Sequence, residues 1–106
     1  MELAKRYNLV VIEDCAQIPL GEYKGRKLGT IGDMGVYSLN YHKHINTGEG
    51  GMIVTDNDHY AEKLQLIRNH GEVIVGPKGV QDITNIWGAN YRLTELQAAI
   101  GTTQLD

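Results

Sequence analysis

Leu9-Val10-Val11-Ile12-Glu13-Asp14 (LVVIED) decides the fold class. Four apolar residues stand in a row, most of them β-branched, and two carboxylates follow at once. A short continuous run of this kind suits a strand buried on both faces, as in a parallel sheet. The carboxylates then fall just past that strand. Open α/β sheets bind their ligands there, outside the carboxyl ends of the strands.

Working outward, Leu3, Ala4 and Tyr7 share a helical face, so residues 1–7 read as the tail of a helix. Beyond the strand, residues 21–32 form a glycine-rich, partly basic loop. Met34 to Leu39 and Gly51 to Thr55 read as two further strands, joined by a turn-rich connection. Thr55-Asp56-Asn57-Asp58 offer N-cap side chains for a helix reaching about Asn69. Its buried face is expected to carry Tyr60, Ala61, Leu64 and Ile67, with Gly71 as C-cap. Residues 72–90 read as irregular, because Gly76-Pro77, Gly79 and Gly88 break any period. A last helix starts near Thr94. Thr94 and Gln97 match a capping box, and Leu96, Ala99, Ile100 and Thr103 line one face. Short strands mixed with helices place the chain in the α/β class.

Composition narrows the function classes. A hydrophobic content of 42% supports a core for a chain of 106 residues. A net charge of -3 argues against nucleic acid or an anionic membrane surface as the main partner. No apolar run approaches a membrane span, and the amino terminus lacks the layout of a signal peptide. Cys15 is the only cysteine, so no internal disulfide forms, and a reducing, cytoplasmic setting is expected. Met1 opens straight into a helical pattern, and the pattern before Asp106 is still running when the chain stops. Residues 1–106 are therefore expected to be part of a larger domain.

Four residues then draw attention: Asp14, Gln17, Ser38 and Lys43. Singly, each has an ordinary reading, as turn residues, a polar strand position or a solvated lysine. Together they meet one chemical demand. A lysine that forms a Schiff base needs its amine partly deprotonated, by desolvation or by nearby cations, and Lys43 lies between His42 and His44. A pyridoxal phosphate site also needs a carboxylate on the pyridine nitrogen, which Asp14 could supply. Its phosphate needs hydroxyl and backbone N–H donors, which Ser38 could help supply. Gly48, Gly50 and Gly51 would permit a tight turn beside the lysine.

VIEDCAQ, GDMGVYSLNYHK, HINTGEGGMIVT, RNHG and GANYRLTELQAAIG, in this order and at these gaps, resemble the DegT/DnrJ/EryC1/StrS family of pyridoxal-phosphate-dependent sugar aminotransferases. The resemblance implies the large α/β domain of a fold-type-I enzyme, of which residues 1–106 would be the central part, without its amino-terminal portion and its carboxy-terminal small domain. It implies that Lys43 holds the cofactor as a Schiff base and then shuttles the proton. It further implies Asp14 under the pyridine nitrogen, Gln17 near the phenolic oxygen and Ser38 on the phosphate. Asn90 would reach the phosphate of a neighbouring subunit in a homodimer. The implied substrates are a nucleotide-linked keto sugar and an amino donor, usually glutamate, for polysaccharide or glycosylated-metabolite biosynthesis. The family's upstream phosphate turn and ring-stacking aromatic have no counterpart here, so an isolated, inactive or merely interacting fragment stands as an alternative. Family members with histidine in place of the lysine are sugar dehydratases.

Two other chemistries fit less well. TGEGG lacks the GK[ST] ending of a nucleotide loop and leads into a strand rather than a helix. His42, His44, Glu13, Asp14 and His70 could be considered metal ligands, but no His-x3-His or cysteine pair supports them.

Overall fold

The computed structural model describes residues 1–72 and 86–105. Gly76-Pro77 and Gly79, expected to break any period, lie outside the described residues. Two compact units make up the chain: Met1–Asp56 with Leu93–Asp106, and Asn57–Arg92.

In the first unit, α1 (Glu2–Tyr7) ends at Asn8, which is left-handed at φ 51°. Asparagine tolerates that conformation because its short polar side chain bonds locally. The chain then enters β1 (Ile12–Asp14). A small hairpin follows, β2 (Glu22–Tyr23) against β3 (Arg26–Lys27). Its two-residue turn, Lys24-Gly25, has φ 51° and 75°, the positive pair that matches the right-handed twist of a hairpin. This hairpin lies within the stretch read as a loop; the turn depends on Lys24 in an uncommon conformation, which the sequence pattern does not signal.

β4 (Met34–Ser38) and β5 (Gly51–Val54) complete a three-stranded sheet in the order β1-β4-β5. β1 runs parallel to β4, and β4 antiparallel to β5. The sheet is mixed and the class is α/β, as the sequence indicates. The first strand nevertheless begins later than the apolar run. Val11 spends its backbone groups on Asp33, donating to the carboxylate at 2.7 Å and accepting from its N–H at 2.8 Å. The regular ladder starts only at Ile12↔Met34. Burial on both faces is not realised in this chain either: Leu9, Val10 and Ile12 are 59%, 53% and 60% exposed. Among the described residues β1 pairs with β4 alone, so its outer side has no covering neighbour.

The register sorts the side chains into two faces. Ile12↔Met34, Asp14↔Val36 and Val36↔Ile53 share one face, and Ser38, two residues beyond Val36, joins it. Glu13↔Gly35 and Tyr37↔Met52 occupy the other. On that second face the Leu28–Gly32 loop lies close against the sheet. A Cβ at Gly35 would collide with the Cα and carbonyl of Gly29, so only glycine permits this approach. The buried Tyr37 donates its hydroxyl to the Leu28 carbonyl at 2.7 Å, and buried Cys15 extends the same core.

α3 (Glu95–Thr102) carries the expected capping box in full between Thr94 and Gln97. Its packed face differs from the expected one. Leu96 and Ile100 are 78% and 51% exposed, while Gln97, Ala98 and Gly101 turn inward. Polar anchoring decides this: Gln97 bonds the Glu49 carbonyl, and Gly101 lies close to the Thr47 methyl.

In the second unit, Asn57 caps α2 (Asp58–Arg68) by accepting from the Tyr60 N–H at 3.1 Å. Tyr60, Ala61 and Leu64 are half-buried as expected, but Leu66 is the buried residue, and Ile67 is 37% exposed. The returning 86–91 segment causes the shift. Ala89 donates to the Ile67 carbonyl and Tyr91 to the Arg68 carbonyl, each at 2.9 Å. Past the C-cap Asn69, His70 and Gly71 are both left-handed, at φ 57° and 78°, and Gly71 donates back to the Leu66 carbonyl at 2.8 Å. Gly71 thus has the left-handed conformation that glycine favours, but it lies two positions past the C-cap, Asn69.

Candidate cofactor site around Lys43

Two parallel strands deliver the first two candidate residues. Asp14 ends β1 and Ser38 ends β4, on one face of the sheet and at its carboxyl edge. Asp14 is exposed, and its Oδ1 accepts from the Ala16 N–H at 3.1 Å, an Asx-type turn that leads the chain off the strand. Among the described residues the one salt bridge is Lys27–Glu22, so the Asp14 charge is not engaged by a cation. The turn continues through Ile18 N–H to the Cys15 carbonyl and carries Gln17 outward. There Gln17 Oε1 accepts from Lys43 Nζ at 2.9 Å, across 26 residues of sequence.

The lysine sits on a closed loop. Leu39 donates to the Gly50 carbonyl at 2.8 Å, and Thr47 to the Leu39 carbonyl at 2.9 Å. Inside the loop Asn40 organises the start. Its N–H donates to Ser38 Oγ at 3.3 Å, its carbonyl accepts from Lys43 N–H at 2.9 Å, and its Oδ1 accepts from His42 N–H at 3.2 Å. Its Nδ2 donates to Glu49 Oε1 at 2.9 Å. Lys43 is half-buried, whereas His42 and His44 are exposed. The Tyr41 ring lies against His42 with centroids 3.7 Å apart. The far side of the loop is held from α3 and the turn after it: Gln97 Nε2 donates to the Glu49 carbonyl at 2.8 Å, and Gln104, just past the helix, bonds Asn46 twice. Asn40, Gln97 and Gln104 were not candidates in the sequence; their contacts span up to 58 residues, which no local pattern signals.

Glu13, one residue before Asp14, has a different task. Its carboxylate accepts backbone N–H bonds from Gly29 at 2.8 Å and from Ile31 and Gly32 at 2.6 Å each. Burial is the largest single influence on this group and pushes its pKa up. The three N–H bonds, helped by the Arg26 charge, outweigh burial and hold the carboxyl below its usual range. Glu13 therefore stays ionised and bound to the loop. Burial, reinforced by the charges of Glu13 and Asp14, pushes the Cys15 thiol up, so Cys15 is a packed thiol and not a nucleophile. Burial likewise raises the Tyr37 hydroxyl.

Asn90 belongs to the second unit. It is exposed, bridges to Asn69 across the end of α2, and accepts from Arg92 N–H at 3.4 Å. The structure thus joins Lys43 to Gln17 directly and sets Asp14 and Ser38 on one face, while Asn90 lies in a separate unit. Among the described residues no group of three or more His, Cys, Asp and Glu side chains is placed to hold a metal ion. Nor, among them, is any helix long and apolar enough to cross a membrane. TGEGG leads into β5, as its sequence indicates, not into a helix.

An α/β sheet with a lysine, an acid and a hydroxyl at its carboxyl edge has the layout of a cofactor-dependent enzyme's large domain. The chain belongs to the DegT/DnrJ/EryC1/StrS aminotransferase family, whose sequence model matches residues 1–106. It is 42% identical to the GDP-perosamine synthase of Caulobacter vibrioides, over 100% of this chain and 28% of that one. Among solved structures it is similar to an aminotransferase from Psychrobacter cryohalolentis, with a TM-score of 0.85 and 38% identity, covering 99% of this chain and 28% of the other. It is also similar to the E. coli GDP-4-keto-6-deoxy-D-mannose-3-dehydratase with bound hydrated PLP, with a TM-score of 0.78 and 28% identity, covering 98% of this chain and 30% of the other. The chain thus spans less than a third of the length of these relatives. The fold is that of the fold-type-I aminotransferases.

Proposed function

We propose that the protein containing this chain transfers an amino group, from glutamate, to the keto group of a nucleotide-linked sugar, with pyridoxal phosphate as cofactor. The observation that carries this reading is the Lys43 Nζ–Gln17 Oε1 bond of 2.9 Å at the edge of the sheet face that bears Asp14 and Ser38. The donor set fits the cofactor. A carboxylate that no cation engages suits a protonated ring nitrogen, a hydroxyl at a strand end suits a phosphate, and a half-buried amine suits a carbonyl. When bound, pyridoxal phosphate supplies an electron sink for the amino-group transfer.

The chain's own residues have these roles. Lys43 binds the cofactor through Nζ and carries a proton there during transfer. Gln17 orients that amine through its Oε1. Asp14 holds a proton at the ring nitrogen, and the Ser38 hydroxyl donates to the phosphate. Asn90 reaches the phosphate of a second subunit, which makes the working enzyme a homodimer. The product is an amino sugar for polysaccharide or glycosylated-metabolite biosynthesis. The setting is cytoplasmic, and the free, buried thiol of Cys15 is compatible with a reducing compartment.

The similarity to a dehydratase favours a second reading, sugar dehydration. Lysine at position 43, where the dehydratase branch carries histidine, supports transamination. A third reading is an inactive fragment. Full-length protein incubated with pyridoxal phosphate, glutamate and a nucleotide-linked keto sugar tests all three. Amino-sugar formation, with the cofactor absorbance abolished in Lys43→Ala, is the expected result. A deoxygenated product without nitrogen would establish the second reading. Cofactor absorbance that persists in Lys43→Ala would overturn the role of Lys43, and a folded wild type that never binds cofactor would leave the inert reading.

A further inference from the structure

We infer that α3 and the turn that follows it position the cofactor lysine through a two-point side-chain clamp, Gln97 on the Glu49 carbonyl and Gln104 on the backbone of Asn46. The inference rests on the role proposed above for Lys43 and adds two positioning residues to it.

The Gln104 carboxamide reads one residue of the loop in both directions. Its Oε1 accepts from Asn46 N–H at 3.0 Å, and its Nε2 donates to the Asn46 carbonyl at 2.6 Å. This is the pairing one strand residue offers another, made by a side chain. The same Nε2 donates to the Ile100 carbonyl at 2.9 Å, which ties the amide back to α3. Asn46 lies three residues past Lys43, on the side of the loop that Asn40 does not hold.

Gln97 performs two tasks with its two amide atoms. Oε1 accepts from Thr94 N–H at 3.0 Å and closes the capping box. Nε2 donates to the Glu49 carbonyl at 2.8 Å, an oxygen that also accepts from the Thr47 hydroxyl at 3.0 Å. A capping box accepts glutamate or glutamine at this position. Glutamate has no donor for the Glu49 carbonyl and would set a carboxylate against it. The glutamine therefore serves the loop as well as the helix. With Asn40 holding the front of the loop and α3 its rear, Lys43 Nζ is kept where Gln17 Oε1 receives it. A reacting group displaced by about 1 Å can lose on the order of a hundredfold in rate, so such a hold has a kinetic consequence.

The test uses the full-length protein with pyridoxal phosphate. Borohydride trapping followed by peptide mapping gives the labelling rate of Lys43, and circular dichroism in the cofactor band reports how rigidly the bound group is held. Gln97→Glu, which keeps the capping box, and Gln104→Leu are each expected to slow Lys43 labelling about tenfold, with a weakened cofactor-band signal and unchanged far-ultraviolet spectra. Ala99→Gly, which weakens α3 at an exposed position and touches neither glutamine, is expected to leave both readouts at the wild-type level. Wild-type rate and signal in both clamp variants overturn the inference while leaving the role of Lys43 intact. So does an equal loss in Ala99→Gly, which would make helix stability the cause. A folded wild type whose Lys43 is never labelled overturns the role of Lys43 itself, and the clamp with it. Amide exchange on the wild type needs no variant. An Asn46 N–H protected from exchange supports the pairing with Gln104, and an unprotected one refutes it.

Discussion

Glu13→Gln changes one atom type and removes one charge, yet it should release the Leu28–Gly32 loop. In the wild type Oε1 accepts from Ile31 and Gly32 N–H and Oε2 from Gly29 N–H, at 2.6, 2.6 and 2.8 Å. A glutamine has one acceptor oxygen. If that oxygen keeps Ile31 and Gly32, its NH2 faces the Gly29 N–H, donor against donor. Hydrogen bonds to a charged group contribute about 1.5–3 kcal/mol and neutral ones about 1 kcal/mol. Two weakened bonds and one orphaned N–H therefore cost about 3 kcal/mol locally, at the low end because the site is only part-buried. That is about two decades in the opening equilibrium.

Native-state amide exchange on the full-length protein at pH 7 reads this at Gly29, Ile31 and Gly32 individually. The expected result is exchange about a hundredfold faster at all three, with the β4–β5 ladder unaffected. Exchange at Ile31 and Gly32 within about threefold of wild type would refute the hold of the Glu13 carboxylate on this loop. The pH dependence supplies an independent sign. The folded-state pKa of Glu13 lies below its ordinary value of 4.5. Its stabilisation is therefore complete above that value and is lost as pH falls through the folded one. Acidification below about 4.5 should loosen the wild-type loop, and this acid response should be missing in Glu13→Gln.

Asp14→Asn should retain weak cofactor binding but lose turnover, measured by cofactor absorbance and amino-sugar formation; near-normal turnover would remove Asp14 from the ring nitrogen. Gly35→Ala should prevent folding or drive aggregation, because its Cβ collides with Gly29 backbone that cannot give way, and soluble expression of the variant checks this. Gly25→Ala is the contrasting case: open space surrounds it, so only its φ of +75° resists, and thermal unfolding should show a loss of about 1 kcal/mol.

The three strands of the main sheet, the helices and the candidate site residues were legible because each has a local signature. An apolar run marks β1, the Thr94–Gln97 spacing marks the start of α3, and a serine five residues before a lysine marks the Ser38–Lys43 stretch. The failures follow a common cause. The apolar run at residues 9–12 predicts a strand, but Asp33 captures Val11 and delays the ladder to Ile12. The helical stripe of α3 predicts Leu96 and Ile100 inside, but two glutamine anchors turn the helix by their hydrogen bonds. The Lys24-Gly25 turn needs a positive φ from a lysine, which composition does not announce. In these three cases a side-chain hydrogen bond, or a turn residue at positive φ, overrides the hydrophobic period.

The supports of the candidate site were hidden for the same reason. Lys43, Asp14, Ser38 and Gln17 are short-range motif residues, whereas Glu13 and Gln104 act on backbone 16 to 58 residues away. Gln97 marks the boundary between the two kinds of information. Its place in a capping box is readable from four residues of sequence, and on that evidence glutamate would serve as well. Only the loop that folds back against α3 separates the two side chains, since the Glu49 carbonyl requires a donor and glutamate has none. A residue chosen twice, once by the helix and once by the lysine loop, can be substituted so that only the second requirement fails. Gln97→Glu does this, and it separates the stability of α3 from the placement of Lys43.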